Sequence, residues 1–488
     1  MHRKLLLVLS VSLFLSFSVG ASAQAVSSPM GCGEALGWFA GGMPAPRLSR
    51  LLEERGRAFK IDQANTKTLL AAGMDAALVQ SLRLLPDSAP GGSSACPMEV
   101  SKVSALIRAR KFELAQPALE KLINRNPQDA SLKFALGFVY QQTEQWDAAF
   151  DAYSEARDLA PGSSDIHCRL SYVFYRYEDG DNAIAEARTA LSLDPKNSDA
   201  YRFLGLGFHA NQRYAAAINA FAEALVLHPN DAEVYYDMGI TLKEKGELQL
   251  AIKAYRKAIT LDPQMWEAHN NLGMLLHDAG NLTSAVSEYL QAKRIAPSEP
   301  GIRYNLGNTY CDKGEYDAAI TELNTLFRKH PGWQRGHSCL AKAFMSKKNY
   351  KLAIAELRMA ILQNPEGATE HRVLGQALLL VKDKEEAIRE LKVAVELDPD
   401  SALAHHYLGT AFFDEQKLDA AETEFRHAVR LEPSANNHYY LAATLMPEGR
   451  YNEALKELES STRLAPTQTL YQTRKQELLQ LMRTSSAR

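Results

Sequence analysis

Prolines recur at every thirty-fourth residue over most of this chain. Ten in succession obey the rule, from Pro127, Pro161 and Pro195 through to Pro399 and Pro433. A period of this length marks a repeat array. Each unit is one supersecondary element that buries its apolar face only by stacking on its neighbours. The period constrains roughly three quarters of the sequence to one architecture. The functional question then becomes what such an array holds, rather than which reaction it performs.

Numbering each unit so that its proline is position 32 exposes the packing code. Position 20 is alanine ten times, from Ala115 and Ala149 to Ala387 and Ala421. Position 8 is small in nine consecutive units, as in Gly137, Ser171, Gly205, Gly273, Ala341 and Gly409. Position 7 is Leu or Met, and position 24 is mostly large and apolar, as in Tyr153, Phe221, Tyr289 and Phe425. Apolar residues at 4, 7, 8 and 11 follow the i, i+3, i+4, i+7 spacing of one helix face. Positions 20, 24 and 27 form the matching face of a second helix. Small residues at 8 and 20 let the two backbones approach. Gly180, Gly246, Gly280 and Gly314 fall near position 15, where a helix-ending glycine is expected. The proline ends the second helix, because it lacks a donor and disfavours helical geometry before it.

This pattern resembles the tetratricopeptide repeat, with residues 232–265 matching well through Tyr235, Gly239, Ala251, Tyr255, Ala258 and Pro263. The resemblance covers about residues 97–466. It implies an all-α fold, a right-handed superhelical solenoid of about eleven helix-turn-helix units. The first unit is degenerate, with Lys102 and Val103 at positions 7 and 8. The last, 436–466, is expected to have lost one residue near Met446–Gly449. Residues 467–488 read as a capping helix and tail.

Residues 1–23 carry the marks of a secretory signal. Arg3 and Lys4 precede an apolar run from Leu5 to Val19, and Ala21-Ser22-Ala23 predicts cleavage before Gln24. The run is shorter than the ~20 residues of a membrane span. The mature chain is therefore expected to be periplasmic or secreted, in the cell envelope, with no integral membrane segment. Residues 24–86 predict a small separate module of four helices, at about 34–40, 46–55, 62–72 and 75–85. Asp62 and Asp75 are candidate N-caps, and Gly56 and Gly73 candidate C-caps. A linker, 87–97, leads into the array at 98. Cys32 and Cys96 bracket the module, and a disulfide between them would staple its ends; two free thiols are the alternative. Cys168, Cys311 and Cys339 occupy repeat positions. The offset between Cys311 and Cys339 is six positions, about 9 Å of helical rise, which argues against a bond.

Several function classes are excluded. Lysine and arginine total 55 against 58 aspartate and glutamate, a net charge of −3, without the basic face that nucleic acid requires. No phosphate loop, GxSxG elbow, HExxH or CxxC pair is present. His167, His269, His337, His371 and His405 all fall at position 4. Neighbouring helices lie about 8–10 Å apart, whereas zinc sits ~2.0–2.1 Å from nitrogen. These imidazoles therefore read as replacements for a packing aromatic, not as metal ligands. No enzyme activity, cofactor or metal is expected, and the repeats run to residue 466 of 488.

The resemblance further implies that first helices line a concave groove through positions 2, 5, 9, 12 and 13. The candidates are Arg202, Tyr236, Asn270, Tyr304, Asn308, Lys342, Arg372 and His406. Amides, aromatics and scattered charge of this kind suit an extended peptide. Acidic residues at position 2, Asp165, Asp199, Glu233 and Glu267, belong either to the groove or to helix starts favoured by the dipole. No unit pairs Lys at 5 with Asn at 9, so the clamp of chaperone-binding members is absent. The asparagine ladder of sugar-transferase members survives only at Asn271 and Asn305. The expected role is an exported scaffold that binds a peptide or partner protein, in envelope assembly or secretion. The alternatives are a targeting arm for an enzyme-like N-terminal module, or an oligomerising array without a ligand.

Overall fold

The computed structural model describes residues 28–86 and 95–486. The expected signal segment, 1–23, and residues 87–94 of the linker lie outside the described residues. Those described form 27 helices and no β-strand. The helices fall into two compact units, one ending at Lys245 and the other starting at Gly246. Helices α1 to α4 precede the array, α5 to α26 form eleven consecutive helix pairs, and α27 (Thr469–Ser486) follows. Consecutive helix pairs pack as a tetratricopeptide solenoid.

The contact between positions 8 and 24 sets the spacing within a pair. A Cβ built on Gly205 would lie 2.5 Å from the Phe221 ring. On Gly375 it would lie 2.3 Å from Leu391, and on Gly409 2.9 Å from Phe425. All three partners are completely buried. Position 20 is buried just as fully, at Ala149, Ala183, Ala285 and Ala421 among others. At these glycines a larger side chain would collide with the residue at position 24.

The turn between paired helices has one backbone solution. Position 15 has positive φ in every repeat, but it is glycine only at Gly246, Gly280, Gly314 and Gly449. The other seven are Arg110, Glu144, Glu178, Gln212, Lys348, Lys382 and Gln416, with φ between 56° and 66°. The turn geometry overrides the local preference, since a left-handed non-glycine residue costs about 1–2 kcal/mol. Gly180 does not belong to this set. Glu178 holds the turn of its repeat, and Gly180 instead starts α10 (Gly180–Leu193), where a Cβ would meet the Asn211 side chain at 2.3 Å.

The missing residue of the last repeat is not at Met446–Gly449. Four residues separate α22 (Lys384–Leu397) from α23 (Ala402–Asp414), but only three separate α24 (Leu418–Leu431) from α25 (Ala435–Leu445). The deletion lies in that turn, after Pro433. Counted from it, Ala454 takes position 20 and Gly449 position 15. Leu478 of α27 is completely buried in the same cluster as Leu441, Ala454 and Leu458, so α27 closes the end of the array.

At the other end the four expected helices form: α1 (Cys32–Ala40), α2 (Ala45–Arg55), α3 (Gln63–Ala71) and α4 (Ala76–Leu84). Asp62 and Asp75 accept from the backbone N–H of Asn65 and Leu78 at 2.8 and 2.6 Å, and Gly56 and Gly73 take positive φ. The segment is not a separate module. One apolar core runs from Met30 into the first repeats as far as Val173. A disulfide joins Cys32 to Cys96.

A second disulfide joins Cys311 on α17 (Pro300–Lys313) to Cys339 on α19 (His337–Ser346), with 6.0 Å between their Cα atoms. The expectation of no bond is overturned, because adjacent first helices do not run side by side in step. Their contacts link residues from 28 apart, Cys311 with Cys339, to 35 apart, Arg202 with Asp237. That spread of seven residues is about 10 Å of rise, so one helix slants across the next.

Two stability outcomes follow. Gly409→Val drives a branched side chain into Phe425 and should cost about 1–3 kcal/mol, read as a lower urea midpoint. Gln212→Gly removes the left-handed penalty at φ 57° and should stabilise the fold by about 0.5–1 kcal/mol, read as a higher urea midpoint.

Candidate protein-binding groove

The groove positions of the first helices differ sharply in what covers them. In the first three repeats the chain's own N-terminal helices lie on this face. Gly37 of α1 sits against Ser131 of α7 (Ala130–Gln142), and Gly41 sits against Phe134. Trp38 packs on Phe134 with ring centroids 5.0 Å apart. Arg108, on α5 (Met98–Arg108), donates to the Phe39 carbonyl at 3.0 Å and lies over the Phe39 ring. Asp165 lies in the first turn of α9 (Ser164–Arg176) and ion-pairs with Arg47 at 3.2 Å, while Arg47 and Arg50 also reach Asp194. Asp165 is therefore neither a groove contact nor a mere helix-start charge. It anchors α2, and burial pushes its carboxyl up against the pull of Arg47. Gly37 and Gly41 permit the close approach, which the sequence does not announce.

Farther along the first unit, Arg202 is on α11 (Ser198–Ala210). It donates from Nε to Asp237 of α13 (Ala232–Glu244) at 2.6 Å and also pairs with Glu233. Burial works against the Arg202 charge, but Asp237 and Glu233 outweigh it and hold the guanidinium above its ordinary value. Tyr236 is half-buried on the same helix. Arg202 is thus committed to bracing α11 against α13.

In the second unit, Asn270 on α15 (Trp266–Asp278) accepts from Asn305 on α17 at 3.0 Å. Tyr304 is covered by Trp333, 5.9 Å between ring centroids, and by Arg335, 4.4 Å above its ring. His406 is buried on α23, among Tyr407, Phe425 and Tyr440, and burial lowers its pKa. Asn270 and His406 thus join neighbouring helices, and Tyr304 packs against the turn that carries Trp333 and Arg335.

Asn308, Lys342 and Arg372 do come together. They line a cavity of ≈ 780 Å³ along α17, α19 and α21 (Ala368–Leu380). Met345, Val373 and Leu380 supply apolar wall, and Gln376 a second amide. Both Cys311 and Cys339 line it, so their disulfide belongs to its wall. The acidic groups are engaged. Asp312 lies 3.0 Å from His277 Nε2 and 3.4 Å from Lys342 Nζ, and Ser338 donates to Glu370 at 3.0 Å. The Arg372 guanidinium and the amides of Asn308 and Gln376 make no hydrogen bond within the described residues. The cavity thus offers the Arg372 and Lys348 cations, two amides and an apolar wall. This combination can pair with a carboxylate, bond a peptide backbone and bury an apolar side chain.

The position-4 histidines carry a feature that packing alone does not explain. His167, His269, His337, His371, His405 and His438 each place Nδ1 2.5–2.7 Å from a glutamate nineteen residues on. Arg303 pairs with Glu322 at the same two positions. Where position 4 is tyrosine, at Tyr201 and Tyr235, position 23 is alanine, Ala220 and Ala254. That alternation was visible in the sequence and marks a paired substitution. Among the described residues no cluster of three or more His, Cys, Asp or Glu is placed to hold a metal ion, and no helix is long and apolar enough to cross a membrane.

No curated protein sequence resembles the chain closely enough to count as a relative. Among solved structures, the Cut9–Hcn1 tetramer shares 16% identity over 78% of this chain and 83% of that one, with a TM-score of 0.41. Pseudomonas aeruginosa pilF shares 21% over 43% and 95%, at 0.37. YrrB, described as a TPR protein with an unusual peptide-binding site, shares 23% over 41% and 100%, at 0.32. These likenesses concern the helical-repeat fold alone. Three family models match, one described as "Tetratricopeptide repeat" at 101–164, 236–300 and 339–402, one as "TPR repeat" at 205–246, and another tetratricopeptide model at 276–343. Together these spans cover more than half of the sequence, and the chain belongs to the tetratricopeptide repeat proteins.

Proposed function

We propose that this chain is an exported, non-enzymatic scaffold that holds an extended segment of a partner protein in the cavity along α17, α19 and α21. The observation that carries the reading is the uncommitted trio of Arg372, Asn308 and Gln376 beside an apolar wall. Elsewhere on the groove face, comparable residues already pair with the chain itself. Tetratricopeptide arrays serve as protein-interaction scaffolds, which supports the general role. The amides suit a peptide backbone, and Arg372 suits a carboxylate on the bound segment. Export to the cell envelope is supported by the charged, apolar and small-residue order of residues 1–23, and by two disulfides, which persist in oxidising compartments. Envelope assembly or secretion is the setting that fits this combination.

A photocrosslinking side chain placed at Gln376 should capture a discrete partner in the native cell, while one at the exposed Lys382 turn should not. Arg372→Ala with Asn308→Ala should weaken that capture by on the order of tenfold per lost bond. Equal capture from both sites would remove the cavity from consideration. Sequencing of the mature protein should begin at Gln24; a mature chain still starting at Met1 would count against export.

A further inference from the structure

The position-4 histidines His167 and His405 are placed between two acceptors. His167 Nδ1 lies 2.6 Å from Glu186 Oε2, and its Nε2 lies 3.1 Å from the Pro161 carbonyl. His405 repeats this, with Glu424 Oε2 at 2.6 Å and the Pro399 carbonyl at 3.0 Å. A neutral imidazole carries a single N–H and can satisfy only one of these acceptors. The other nitrogen would then turn its lone pair toward an oxygen lone pair in a largely dry site. Both rings are more than nine-tenths buried, at 7% and 6% exposure. We propose that His167 and His405 are held as imidazolium ions that clamp successive repeats, making the array a pH-sensitive solenoid.

The clamp is inter-repeat by construction. The proline carbonyl belongs to the turn that closes the preceding repeat. The glutamate stands on the second helix of the histidine's own repeat, α10 for Glu186 and α24 for Glu424. A doubly protonated ring therefore ties the end of one unit to the body of the next, at the interface whose energy governs cooperativity in a solenoid. The charged groups facing His167 are Glu186 and, on α8 (Trp146–Leu159), Arg157. Those facing His405 are Glu424 and Arg430, both on α24, with the His427 ring stacked 5.0 Å away and accepting from Arg430 at Nδ1. The arginines oppose the charge, and the closer glutamates prevail. In both cases the glutamate hydrogen bond raises the imidazole above its ordinary value while burial opposes.

The sign follows from linkage. A histidine whose folded pKa exceeds its unfolded value contributes its full stabilisation below about 6.5, and loses it as pH rises through the folded value. Each unit of elevation is about a tenfold change in the folding equilibrium constant.

Nitrogen-15 spectra of histidine-labelled full chain at about pH 7 test the protonation state directly. Both ring nitrogens of His167 and His405 are expected to carry hydrogen. A single-proton tautomer at either ring overturns the assignment for that ring, whether or not any variant folds. In urea titrations, the wild-type midpoint should fall between about pH 6 and about pH 9. His405→Tyr with Glu424→Ala installs the pair this chain uses at Tyr201 and Ala220, and should fold with a smaller fall. Adding His167→Tyr with Glu186→Ala should shrink it further. An unchanged fall in these variants would show that the pH response lies elsewhere.

Discussion

The close approach of paired helices at position 8 is the contact on which the rest of the molecule depends. With no Cβ at Gly137, Gly205, Gly375 or Gly409, the ring or branched side chain at position 24 lies directly on the opposing backbone. This brings the completely buried alanine at position 20 into the same layer. The same contact recurs at Gly273 and Gly307, and each turn between paired helices carries a positive φ at position 15. The cost is visible at position 15, where seven residues with side chains accept a left-handed backbone. Close packing along two helices offsets about 1–2 kcal/mol at one turn residue.

The same regularity produces a groove face, but only part of it is open to a partner. The first three repeats are covered by the chain's own α1 and α2, sealed by Trp38 on Phe134 and by Arg47 on Asp165. Arg202 spends its charge on Asp237 and Glu233, and Asn270 spends its amide on Asn305. Buried polar groups must be partnered, so each such bond removes a side chain from the set available to a ligand. The cavity along α17, α19 and α21 is where this internal accounting leaves groups over, and a disulfide in its wall ties two of the three helices together.

The position-4 histidines extend the logic of pairing to the repeat boundaries. Six of them meet a glutamate at the same spacing, and three of those also reach a proline carbonyl of the preceding turn. Reading them as aromatic substitutes captures their location and rejects a metal site. It leaves out the carboxylate, because a glutamate nineteen residues away on another helix becomes a neighbour only once the pair folds.

What the sequence determined by itself is the repeat. A strict period with small residues at 8 and 20, large ones at 24 and proline at 32 admits one helix-pair geometry, because helical spacing and excluded volume leave no other way to bury that face. It also located the N-terminal helices and their Asp62 and Asp75 caps, which are local interactions. The tertiary structure decided everything that depends on how successive helices slant across one another. That slant brings Cys311 to Cys339 despite a six-position offset, and carries α1 onto Phe134. It closes Arg202, Asn270 and His406 into the fold, and it gathers Asn308, Lys342 and Arg372 from three different repeats. Position numbers assign a side chain to a face; only the angle between helices, set by many small packing contacts at once, decides which residues on that face meet.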